Sequence, residues 1–138
     1  MATEKEVLER KKDTSDKVST QVRTMGLGLL AFTWGLIISD SPLAKAIAET
    51  LKWHLLLIGF LSILTVFLDF LQYVLGYQVA LRLLRSMEAR GADTGDYDYK
   101  SFLWRAQNWL FYGKQILLAM AASYLLMAII VFLLVKAF

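Results

Sequence analysis

The chain contains no cysteine, one histidine and one proline in 138 residues. Without cysteine it has no disulfide, no thiolate nucleophile and no sulfur-ligated metal or cluster site, and its composition carries no mark of redox compartment. The single histidine, His54, does not make a metal site, because it and Asp40 are expected at the outer membrane edge without the cluster of ligands a metal needs. The loop Gly91-Ala92-Asp93-Thr94-Gly95-Asp96 lacks the lysine and the strand-to-helix setting of a phosphate-binding loop. No catalytic residues, metal or cofactor are therefore expected, and the chain is not read as an enzyme. Charge of either sign is also modest, with 15 basic against 12 acidic residues and a net charge of +3. The basic residues flank apolar stretches instead of clustering among solvated aromatics, which excludes nucleic acid as a partner.

Apolar residues are what the chain has in excess. They make up 57% of it, and the mean hydropathy is +0.50, which places it among membrane proteins and makes the lipid bilayer its first partner. Three stretches suit membrane crossing: residues 25–39, 53–76 and 115–135. The first is short for a hydrocarbon layer of ~30 Å, so Gln21, Val22 and Thr24 must dip into the headgroups if it crosses. A secretory signal ending at Ala44-Lys45-Ala46 is the rival reading, but the preceding segment is too long and too acidic for it. Ala31 and Gly35 form a small pair that would admit a neighbouring helix. Ser41 caps and Pro42 begins the next helix, whose first part, 43–52, suits the membrane surface, and Trp53 and His54 mark the entry of the second span.

The expected fold is all-α: a polytopic membrane protein with three transmembrane helices and a short cytoplasmic helical extension. Residues 1–24 are expected as a cytoplasmic N-terminal helix and 25–138 as the transmembrane domain, with the extension a helix-loop-helix at 77–114. Six Lys and Arg precede the first span and six lie between the second and third. Only Lys45 and Lys52 follow the first span, and Lys136 alone follows the third. This asymmetry places the N-terminus and the long loop in the cytoplasm and the C-terminus outside, in a plasma or bacterial inner membrane. The aromatic segment 101–113 either lies among the headgroups or packs on the extensions of the first two helices.

The second span carries the chain's one intramembrane acid. Gly59, Ser62, Thr65, Asp69, Gln72 and Gly76 recur every three or four residues and so form one small, polar stripe on a helix. Asp69 lies about 6 Å inside the boundary at Tyr73. Two readings follow. In one, the stripe is a helix interface: Ser62 and Thr65 bond across it, Tyr124 finds one of those hydroxyls, and Asp69 forms an ion pair with a snorkelling Lys114. In the other, a homo-oligomer turns the stripe inward to line an ion-conducting or membrane-permeabilising pore, with Ile63 and Val66 as its apolar constriction. The expected function is such a homo-oligomeric assembly. The alternative is a non-conducting anchor or accessory subunit that docks a cytoplasmic protein partner.

Overall fold

The computed structural model describes residues 4–91 and 100–137. They form three helices, α1 (Glu4–Ile38), α2 (Pro42–Arg90) and α3 (Phe102–Ala137). At ~1.5 Å per residue these are about 52, 74 and 54 Å long, each well beyond the ~30 Å of a hydrocarbon layer. α1 passes through Thr24 and Met25 without a break, so Gln21, Val22 and Thr24 continue the first apolar stretch on the same helix. Large apolar side chains face away from the protein along all three helices. Phe60, Phe67, Met127 and Val135 are among the exposed ones, an outer surface suited to lipid. This is an integral membrane protein.

Local chemistry sets the helix ends. Ser41 Oγ accepts from the Ala44 N–H at 3.1 Å, and Pro42 follows it in the first turn, where no N–H is needed. The expected surface segment 43–52 is continuous with the second span, joined to it through a kink at Leu51 (φ −110°, ψ 17°). The Thr50 hydroxyl donates to the Ala46 carbonyl at 2.8 Å, the kind of back-bond that bends a helix. α2 stops at Gly91, whose left-handed conformation (φ 59°, ψ 33°) returns its N–H to the Glu88 carbonyl. The remainder of the expected loop, from Ala92 to Asp96, lies outside the described residues. α3 starts where Ser101 Oγ accepts from the Trp104 N–H.

α2 is the middle helix and packs antiparallel against both neighbours, while α1 and α3 meet over a shorter length. Its buried positions include Leu51, Leu55, Ile58, Ser62, Thr65 and Asp69, alternating steps of four and three that keep one seam facing its partners. Leu51, Leu55 and Ile58 join Ala121, Leu125 and Phe132 of α3 in an apolar core at one end. α1 approaches through Gly26, where an added Cβ would lie 3.3 Å from Val66 Cγ2. The expected approach at Ala31 and Gly35 does not occur within the protomer. Both are exposed, and a Cβ on Gly35 would meet nothing within 4 Å. The aromatic segment of α3 divides between its two expected roles, with Trp104 and Phe111 half-buried against the bundle and Phe102, Trp109 and Tyr112 turned outward.

The contrast between glycines gives a test of the α1–α2 contact. Gly26→Leu is expected to destabilise the protein by roughly 1–3 kcal/mol through overpacking. Gly28→Leu, at a position with open space around it, leaves stability near wild type. Thermal unfolding in detergent micelles compares the two.

Candidate functional site

The α2 seam changes character along its length. Beyond Ile58 the apolar side chains give way to Gly59, Ser62 and Thr65, all buried. Their hydroxyls do not bond across the interface. Ser62 Oγ donates to the Ile58 carbonyl and Thr65 Oγ1 to the Leu61 carbonyl, both at 2.9 Å, so each is satisfied on its own helix. Thr33 of α1 does the same, and Gly59 faces it. This leaves a narrow surface without demanding polar groups, which lets α1 come close. Tyr124 is likewise not bonded to that surface. Its hydroxyl lies 2.5 Å from His54 Nδ1 near the other end of the bundle.

One turn beyond Thr65, Asp69 is 2% exposed and Lys114 is completely buried. Lys114 Nζ donates to Asp69 Oδ1, and the ammonium turns into the bundle instead of snorkelling out to water. Ser19 of α1 joins the two: its hydroxyl donates to Asp69 Oδ1 at 2.6 Å and accepts from Lys114 Nζ at 2.6 Å. Arg23, one turn along α1, places Nε and Nη2 each 2.8 Å from Asp69 Oδ2. Its guanidinium stands over the Tyr73 ring, 5.1 Å from the centroid, and Lys114 Nζ lies 5.5 Å from the centroid of Phe111.

Four contacts thus occupy the two carboxylate oxygens, which is the full acceptor capacity of the group. Taking a carboxylate and an ammonium out of water costs several kcal/mol each, and hydrogen-bonded pairing at contact distance offsets it. The cluster draws on all three helices: Ser19 and Arg23 from α1, Asp69 from α2 and Lys114 from α3. Two cations and one carboxylate leave a formal surplus of one positive charge. Past Asp69 the stripe ends in Gln72 and Gly76, both half-buried. Gln107 of α3 packs over Gly76, with its Nε2 3.0 Å from where a Cβ would stand. Gln72 Oε1 is enclosed without a hydrogen-bond partner.

Of the residues expected to face a shared axis, Gly59, Ser62, Thr65 and Asp69 pack inside a single protomer. Ile63, half of the expected constriction, is 51% exposed on the outer surface, and Val66 lies against Gly26. Sequence reasoning did not pick out Ser19, Arg23 or Tyr73 for the site. A signal for the first was present in α1, where buried Ser19, Val22, Gly26 and Thr33 repeat at steps of three, four and seven. Among the described residues, no group of three or more His, Asp or Glu side chains is arranged to hold a metal. The chain matches no protein family, no curated protein and no solved structure, so what the cluster does is argued from its own residues.

The buried pairing predicts strong asymmetry between single and double substitutions. Asp69→Asn strands a fully buried ammonium and is expected to cost about 3–5 kcal/mol. Asp69→Asn with Lys114→Met removes both charges and costs less than Asp69→Asn alone. Ser19→Ala, which loses the hydroxyl linking the two, is expected to cost about 1–3 kcal/mol. Equilibrium unfolding in mixed micelles measures all three.

Proposed function

We propose that the protein is a non-conducting membrane anchor or accessory subunit that docks a protein partner on its cytoplasmic side. One observation carries the reading: the polar stripe of α2 is covered by α1 and α3 of the same chain, and the Asp69 carboxylate has no acceptor capacity left for a passing cation. A second feature supports the docking half. Counting from Tyr73 and Gln115, α2 runs about 25 Å and α3 about 20 Å past the hydrocarbon boundary on the end flanked by twelve Lys and Arg. That asymmetry favours the cytoplasm for this end. Tyr77, Trp109 and Tyr112 fall at headgroup depth and act as interfacial anchors. Leu84 and Phe102 lie farther out, and at 54% and 82% exposure they offer apolar contacts that neither lipid nor the bundle covers.

The homo-oligomeric reading retains one supporting observation. Gly28, Ala31 and Gly35 are exposed on the outer face of α1, at the spacing that allows two helices to approach closely. A conducting path in such an assembly would have to run between protomers and not along the stripe within one.

Two measurements decide between the readings. Liposomes containing the wild-type chain are expected to release potassium no faster than empty ones, and a flux that falls on Asp69→Asn would establish the pore instead. A photoreactive residue in place of Phe102 is expected to form a discrete adduct with another protein in cells, whereas one in place of Ile38 does not. Adducts with lipid alone would remove the docking proposal.

A further inference from the structure

The cluster's surplus charge has a definite location. Lys114 is sealed against Asp69, so the uncompensated cation is Arg23, whose side chain is 44% exposed. Among the described residues Asp69 is the only acid paired with Arg23. A guanidinium has five N–H donors. Asp69 Oδ2 faces Nε and Nη2, and the Tyr73 hydroxyl can take one donor more, which leaves two without an acceptor in the bundle. The exposed side of Arg23 opens onto a groove of about 460 Å³ between α1 and α2, lined by Arg23, Val66, Asp69, Phe70 and Tyr73.

The groove's chemistry is divided along the membrane normal. Counted along α2 from Tyr73, Val66 lies about 10 Å and Phe70 about 4.5 Å toward the bilayer centre, Phe70 being 61% exposed, and the Arg23 guanidinium sits between Asp69 and the Tyr73 ring. An unneutralised cation beside hydrocarbon is costly, and the ligand that removes the cost must bring negative charge at headgroup depth with an apolar body below it. We propose that this groove is a binding site for one anionic phospholipid of the leaflet on the Arg-rich side. The phosphate accepts from the free N–H groups of Arg23, and an acyl chain lies along Val66 and Phe70. Stacking on Tyr73 and the bond to Asp69 hold the guanidinium plane, so the donors are oriented before the lipid arrives. A zwitterionic lipid offers the same phosphate but adds a second cation, so it leaves the surplus in place.

The test uses the full chain and measures lipid retained in native mass spectrometry from micelles holding equal phosphatidylglycerol and phosphatidylcholine with matched chains. The wild-type protein is expected to retain one phosphatidylglycerol per protomer, preferred roughly 10-fold, the ratio one charge-assisted hydrogen bond supports. Arg23→Gln brings the ratio near one, and Arg23→Lys keeps most of it. Should Arg23→Gln fail to fold, Tyr73→Glu serves the same purpose: it puts a carboxylate beside Arg23 in place of the stacking ring, keeps Ser19, Asp69 and Lys114 as they are and is expected to abolish the preference. Lys12→Gln with Lys17→Gln, farther out on α1, leaves it unchanged. Equal retention of the two lipids by the wild type would overturn the proposal. So would a preference that survives Tyr73→Glu, or one that the two lysine substitutions remove, since diffuse surface charge would then be the cause.

Discussion

A carboxylate inside a membrane bundle has to be matched in charge and in hydrogen bonds, because no water is at hand to do either. Asp69 imposes that constraint on the whole molecule. Its two oxygens are met by Lys114 from α3 and by Ser19 and Arg23 from α1, so the three helices have one mutual register in which every partner reaches. A shift of one residue along either neighbour would carry Lys114 or Ser19 off the seam and leave a buried charge unpaired. Apolar packing is far less selective, since leucine and phenylalanine can repack with small loss. The cluster specifies the arrangement, and the apolar core at the other end adds most of the close-packed contact.

The seam between these two ends explains why small residues are needed. Gly26 and Gly59 bring α1 against α2 closely enough for Ser19 and Arg23, farther along, to reach Asp69. Ser62, Thr65 and Thr33 contribute size and not cross-helix bonds, because each hydroxyl returns to its own backbone. A stripe that reads as polar in sequence is, in the folded chain, mostly a way of making room. Its only charged member is the one that three other side chains satisfy.

Placing the cluster near one boundary has consequences for what the protein meets. With the stripe closed inside the protomer, the surfaces open to a partner include the exposed aromatic side of α3 and the groove beside Arg23. Two cations around one carboxylate are excessive for the bundle alone, and the surplus faces the depth at which lipid phosphates lie. The same arginine therefore serves the fold on one edge of its guanidinium and is free for a ligand on the other.

Much of this was readable beforehand, for local reasons. Apolar run lengths gave three helices, the Ser41-Pro42 pair gave the start of α2, and the three-and-four spacing gave the face that is buried from Gly59 to Asp69 and half-buried at Gln72 and Gly76. Lys114 was legible as a partner for Asp69 because equal depth in adjacent antiparallel spans brings the two together. Ser19 and Arg23 were not, since both precede the first apolar run and counted only as part of a solvated, charged flank. The outward placement of Ala31 and Gly35 and the pairing of Tyr124 with His54 were hidden because they depend on how separate helices pack. By itself the sequence determined what each helix is, where it begins and which face is small, because these depend on neighbours within a turn or two. Only the tertiary structure decided which faces meet, because matching a buried charge depends on the relative rotation and depth of all three helices at once, and no single helix encodes that.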